Sequence, residues 1–339
     1  MKWLAVLMLC SGCFTARYLT QAATGQLALI AAGRPLSSAI NDPRTPPHVA
    51  LLLARVPGVK AFGEAHGLEP TQNYARYADL HRSAAVWVVQ ACAPLKFESK
   101  RWSFPIAGTV PYLGFFDEQA AHAYATQLAT DEALDVDVRG ASAYSTLGWF
   151  KDPVLSTMIP EGPDAQVGLI NTVLHESVHA TLYIPGQSAF DESLASFVGD
   201  KLTAAYLSKR YGADSKQLKA YVEGEQRSAE WISRLHRAWE ELNTVYESPA
   251  LGDDEKRAKK AELLAALKVE LGSKRLFNNA VLSGYRTYDT GGPAFERLLH
   301  RCDDDLKTFM ATVKQLEPSS FPSPQMEDVS PVIDALEPK

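Results

Sequence analysis

The sequence predicts an α+β fold, with a small mixed sheet followed by a mostly helical C-terminal part, and two observations carry that expectation. Between Val86 and Arg139, short runs of β-branched and aromatic residues are bounded by Pro, Gly or Asp. From residue 163 onward, apolar residues recur at helical spacing almost without interruption. With 339 residues, 46% of them hydrophobic, the chain is long enough to bury a large core.

The elements follow in order. Lys2, the apolar run Trp3 to Leu9 and then Cys10-Ser11-Gly12-Cys13 resemble a short export signal ending at a lipidated cysteine, so residues 1–13 read as an anchor segment with Cys13 as acceptor. That places the protein at the cell envelope, a lipoprotein held on the membrane and facing the periplasm. The body is then 14–316. Leu19, Leu27 and Ile30 give a helix from Thr15 to Ala32, stopped by Gly33-Arg34-Pro35, and a second helix is expected from Pro47 to His66. Strands are expected at Val86–Val89, Trp102–Ile106 and Tyr112–Phe116, then a helix capped by Asp117 and running to about Thr130. Leu134 to Arg139 alternates as a half-buried strand does, which completes a helical and sheet part over 14–160.

Pro163 suits the first position of a helix, and Val167, Ile170, Leu174 and Val178 carry its period to Leu182. Turn residues Tyr183 to Ser188 return the chain as a second helix, giving a pair over 163–212. Charged, periodic stretches at Asp214–Glu247 and Asp253–Leu271 form a helical hairpin within 214–272. Further helices occupy 273–316, the last from Pro293 to about Leu316, and the Pro- and Ser-bearing segment 317–339 reads as a flexible tail. A net charge of −6 without a concentrated basic face argues against nucleic acid as a partner. No apolar run reaches the roughly 18 residues needed to span a bilayer. In an oxidising periplasm Cys92 and Cys302 could pair.

The chemistry concentrates in His175-Glu176-Ser177-Val178-His179. Two imidazoles four residues apart project from one helix face and can reach a single zinc ion, while Glu176 flanks the open position and can take a proton from the attacking water. Two histidines hold a catalytic zinc poorly, so a third protein ligand is expected. A third His ten residues after the first is excluded, because Pro185 stands there. Glu192, on the returning helix, is the candidate; Asp191 is its rival, although its position suits a helix cap. Ala195, Ser196 and Gly199 share the face of Glu192 and would allow the two helices to approach closely, with Leu194, Phe197 and Val198 turned toward a core.

Tyr144, Ser145 and Thr146, after the last strand, are candidates to bind extended peptide by backbone pairing. A phenol from Tyr288 or Tyr285 is a candidate to stabilise the oxyanion. Asp200, two turns beyond Glu192, is placed to orient His175 or to be a surface carboxylate.

Taken together, Cys13, Phe104 to Gly108, Ala143 to Phe150, His175 to His179, Phe190 to Phe197 and Asn278-Asn279-Ala280 resemble a family of bacterial predicted aminopeptidases within the thermolysin-like class. The resemblance implies a zincin-like metalloprotease fold and one zinc ion held by His175, His179 and Glu192, with Glu176 as general base. It also implies a peptide or protein substrate. The Gly-x-Met-Glu-Asn segment that binds the substrate ammonium in the best-known zinc aminopeptidases is absent, so exopeptidase action rests on the resemblance alone. An envelope zinc endopeptidase, or a noncatalytic membrane-anchored scaffold, is the alternative reading. Oligomeric state is not encoded in any motif.

Overall fold

The computed structural model describes residues 2–104, 108–144, 151–162, 164–286, 291–326 and 328–339. Helix α1 (Lys2–Ala32) lies along the outer edge of the main sheet. After it come strand β1 (Arg34–Pro35), α2 (Leu36–Ile40), α3 (Pro47–Leu53) and α4 (Val56–Ala65). The single helix expected over 47–66 is two. Pro57 has no N–H to continue the ladder, and the break falls just before it, with Ala54 closing α3.

Two small sheets and a hairpin follow. Strand β2 (Arg76–Ala78) pairs with β1, and parallel with a later two-residue strand. The centre of the other sheet is β3 (Val86–Cys92), whose seven residues are all buried. Strands β4 (Trp102–Phe104) and β5 (Gly108–Val110) pair with each other, and β6 (Leu113–Phe115) runs antiparallel along β3. Asp117 caps α5 (Glu118–Asp131), accepting the Ala120 N–H at 2.7 Å, as expected from sequence. Strand β7 (Asp135–Ala141) pairs antiparallel along the full length of β3, and β8 (Val154–Leu155) is the partner of β2.

Side-chain alternation divides this sheet. Trp87, Val89, Ala91, Val136 and Val138 face α5 in one apolar cluster. The opposite face turns Gln90, Asp137 and Arg139 toward the helical half. The free edge of β6 is covered by α1. Gln21 donates to the Gly114 carbonyl at 3.0 Å and accepts from the Phe116 N–H at 3.2 Å, so ladder groups left open at the edge are paired by a side chain. Gly25 allows this approach, because a Cβ there would stand 2.2 Å from the Phe116 ring.

The helical half contains α6 (Ala165–Thr181), α7 (Ser188–Tyr211), α8 (Lys216–Glu247), α9 (Asp253–Glu270), α10 (Asn279–Arg286), α11 (Gly292–Arg301), α12 (Leu306–Val313) and α13 (Ser330–Asp334). Helices α8 and α9 form the expected hairpin, and they close over α10 in a cluster of their own. The final helix expected over 293–316 is broken into α11 and α12. Asp303 and Asp304 adopt left-handed backbone (φ 54° and 56°) and Asp305 recaps the chain through the Thr308 N–H.

The segment after Glu317 is not a flexible tail. Phe321, Val329, Val332 and Ile333 are buried in the main core, and Arg297 grips Asp334 through two hydrogen bonds of 3.0 and 2.6 Å. Its apolar residues cluster around α13 and are buried against α11. Cys92 and Cys302 are both buried free thiols in different parts of the fold, so the pairing considered from sequence does not form. Among the described residues, no helix is long and apolar enough to cross a membrane.

Candidate functional site

Helices α6 and α7 pack antiparallel, and their contact builds the site. Gly199 on α7 lies against the backbone of His175, where an added Cβ would come within 3.2 Å of its Cα. Asn171 reaches Thr203 one turn further along, at 3.4 Å. The small residue at 199 therefore sets the helix separation. Ala195, Leu194 and Val198 are buried, and Phe197 packs on Phe295.

At the other end of this contact, Glu192 faces both histidines. One carboxylate oxygen is 3.7 Å from His175 Nε2 and the other is 3.8 Å from His179 Nε2. These distances are too long for hydrogen bonds. One potential ligand atom from each of the three side chains falls within 4.8 Å of the others, so a single cation can be reached by two ring nitrogens and one carboxylate. Asp191 does not join them. It sits within the first turn of α7, where Gln187 is the cap, and its Oδ1 accepts the Ile184 N–H at 2.9 Å, which fixes the α6–α7 turn.

Burial sets the protonation of the group. It pushes His179 down to about 4, leaving a neutral imidazole with a lone pair to donate. Glu192 is also desolvated, but the two imidazoles and Arg139 draw it down to about 2. Burial lifts Glu176 to about 7; His175 opposes this, while Glu192 and Asp152 add to it. His179 Nδ1 is buried and has no hydrogen-bond partner among the described residues.

Sequence reasoning missed two groups within electrostatic reach of Glu176, Tyr74 and Asp152. Tyr74 is 4% exposed with a left-handed φ of 63°, and the fields of Tyr74 and Glu176 act on each other. Its N–H donates to the Asp152 carbonyl at 2.7 Å, and the Asp152 N–H donates to Asn73 Oδ1 at 3.0 Å. Lys60 holds the same turn through the carbonyls of Thr71 and Asn73, at 2.7 and 2.6 Å. No periodicity marks these residues; only the strained backbone and the convergence of three segments reveal them.

The other candidates divide. Tyr144 packs edge-on against Phe116 with centroids 5.2 Å apart, so its ring serves the core. Ser145, Thr146 and Tyr288 lie outside the described residues, as does the side chain of Cys13. Tyr285 packs on Trp231, and its hydroxyl accepts from Arg275 at 3.3 Å. It lines a cavity of about 460 Å³ between α7, α8, α10 and the sheet. Asp200 lines the same cavity, and its carboxylate accepts from Asn171 at 2.8 Å and from Tyr221 at 2.9 Å. A smaller recess that includes Glu192 shares Gln90, Arg139 and Gly284 with this cavity, so the cavity opens beside the histidine–glutamate cluster.

Residues 17–325 match the model of a protein family described as "Putative aminopeptidase". The chain belongs to this family. The stretch matched to the aminopeptidase family includes the whole sheet, both helices of the site and every wall of the cavity. No curated protein and no solved structure matches the chain.

Proposed function

We propose that the chain is a zinc-dependent peptidase of zincin-like architecture, with His175, His179 and Glu192 as ligands of one ion and Glu176 as general base. The observation that carries this reading is the meeting of Glu192 with both imidazoles across the α6–α7 contact. The donors suit the ion. Tetrahedral ligands about 2.0–2.2 Å from zinc stand roughly 3.3–3.6 Å apart, close to the separations found. Membership of an aminopeptidase family supports a peptide substrate and favours removal of N-terminal residues.

Bound zinc would supply the Lewis acidity that polarises a scissile carbonyl and acidifies water. The chain's own groups do the rest. Glu176, whose carboxylate feels the charges of Glu192 and Asp152, takes the proton of the attacking water and returns it to the leaving amine. A proton affinity near neutrality suits both transfers. His179, neutral by burial, keeps its ring nitrogen available without first losing a proton.

The test uses purified full-length protein assayed on a peptide library, with and without chelator, beside Glu176→Gln. Loss of about 10²–10⁴ in kcat is expected for the variant, with bound zinc retained by elemental analysis; full activity in Glu176→Gln would sink the assignment. Envelope anchoring belongs to the same proposal and is supported by the sequence from Lys2 to Cys13. Cys13→Ser should move the protein from the membrane fraction to the soluble fraction, and unchanged fractionation would count against a lipid anchor.

A further inference from the structure

Helix α1 has two faces of different kinds. The inner face is fastened to the body: Phe14 stacks on Tyr124 with ring centroids 4.8 Å apart, Tyr18 stacks on Phe104 at 5.2 Å, and the Tyr18 hydroxyl accepts the Gly114 N–H at 3.2 Å. Gln21 adds its two bonds to the β6 edge, and Gln26 and Leu29 are buried on the same side. The helix is therefore held to the sheet from residue 14 onward.

The outer face is exposed and uncharged. Leu19, Thr20, Ala23, Thr24, Leu27 and Ala31 face outward, with Leu19 46% and Leu27 61% exposed. No Asp, Glu, Lys, Arg or His occurs between Arg17 and Arg34. Helix α8 is built differently, since its exposed positions include Lys216, Lys219, Glu223 and Arg227. Charged residues opposite the core keep a surface helix solvated, and α1 has none beyond Arg17. By helical period, position 13 falls on the same outer face as Thr20, Thr24, Leu27 and Ala31. The proposed acyl acceptor is thus in phase with the uncharged stripe, about 9 Å along the axis from Leu19 and about 21 Å from Leu27. Among the described residues no helix is long and apolar enough to cross a membrane, and the sheet holds the inner face of α1, so this face meets lipid only with the helix lying flat.

We propose that the outer face of α1 rests in the headgroup region of a phospholipid bilayer, parallel to its surface, and orients the body on the membrane. This rests on the lipid-anchor reading of Cys13 and adds the side of the body that meets the bilayer. The face does not replace the anchor, because two leucines among alanines and threonines bury little apolar area. Its effect is to stop rotation about the tether. In the strand order β6–β3–β7, α1 covers the β6 edge, while Lys260 of α9 is bonded to Asp135 at the β7 edge. The α8–α9 hairpin, with the cavity wall that α8 supplies, therefore points into the aqueous phase, where peptides reach the site without crossing the membrane surface.

The experiment uses the full-length protein, purified from membranes and reconstituted into vesicles of phosphatidylethanolamine and phosphatidylglycerol, with a fluorophore on Thr24→Cys or, as the control, on Val269→Cys of α9. Nitroxide lipids carry the quencher near the top of the acyl chains, the depth of roughly 5–10 Å that an interfacial helix reaches. Fluorescence at position 24 should fall at least about twofold, and fluorescence at position 269 should not change. Leu19→Glu/Leu27→Glu places carboxylates on exposed positions, which fold does not oppose and headgroup burial does. That variant should stay in the membrane fraction and lose the quenching at position 24. Equal quenching at 24 and 269 overturns the proposal, as does quenching at 24 that survives in the double variant. Oxidative cross-linking of two copies through Thr24→Cys, without quenching, gives the face to a second copy and also overturns it. The intact mass separates the two readings. An acyl mass with position 24 unquenched ends this proposal and keeps the anchor; quenching without an acyl mass ends the anchor and keeps the face; neither signal ends both.

Discussion

At the scale of single residues, the site divides into proposed ligands named by spacing and neighbours supplied by distant chain. His175, Glu176 and His179 are legible because four residues on a helix always bring two side chains to one face, whatever surrounds the helix. Glu192 is legible at one remove, since a turn followed by a second helix is enough to bring a carboxylate back. Removing Glu192 as Ala should weaken zinc binding by more than roughly 100-fold, since even outer-shell changes cost 10–100-fold. Competition with a zinc indicator measures this, and unchanged affinity would remove Glu192 from the ligand set. Cys92 shows burial acting without a site. Loss of solvent, opposed by Ser283, pushes its thiol up to about 11. The reactive form is the thiolate, so alkylation of Cys92 in the native protein should be slow at pH 7–8 and rise only as pH approaches that value. Mass spectrometric mapping checks it, and rapid native labelling at pH 7.5 would contradict the burial.

At the scale of elements, close approach is decided by glycines whose role no pattern announces in full. Gly199 was expected on the interface face of α7, and the structure shows what it touches: the backbone of His175 itself. Gly199→Ala should cost about 1–3 kcal/mol in urea denaturation, because an overpacked contact must push the helices apart, and it should also loosen the proposed zinc site. A stability within a few tenths of wild type would mean that the helices are not held at this distance. Gln21 plays the corresponding part for the sheet. Gln21→Ala leaves the Gly114 carbonyl and Phe116 N–H at the β6 edge without their partner, and a loss of about 1–3 kcal/mol is expected. The helix α1 was readable from apolar spacing; its use as an edge cover was not, since one polar residue in a helix carries no sign of the strand it will meet. The breaks at Arg55 and Cys302 were missed for a related reason: apolar periodicity continues across both, while the backbone turns.

At the scale of the whole molecule, the C-terminal segment decides more than its composition suggests. Gln325 donates its N–H to the Gly186 carbonyl at 2.7 Å, and Gln187 binds the carbonyl of Ser323, also at 2.7 Å, so residues near the chain end brace the turn that delivers Glu192. Deleting 317–339 should therefore lower thermal stability and zinc affinity together, read by calorimetric melting and indicator competition; a truncated protein with unchanged melting would return this segment to the status of a tail. The sequence by itself determined the helix with its two histidines, the glutamate between them, the returning carboxylate and the α+β order of elements, because each of these depends on local period and turn chemistry. Only the tertiary structure decided that Tyr74 and Asp152 lie within electrostatic reach of Glu176, that Asp200 is held by Asn171 and Tyr221 beside a cavity, and that the C-terminal residues close the core. Those contacts join segments tens to hundreds of residues apart, and what brings them together is the burial of apolar faces, which records no partner in the local pattern.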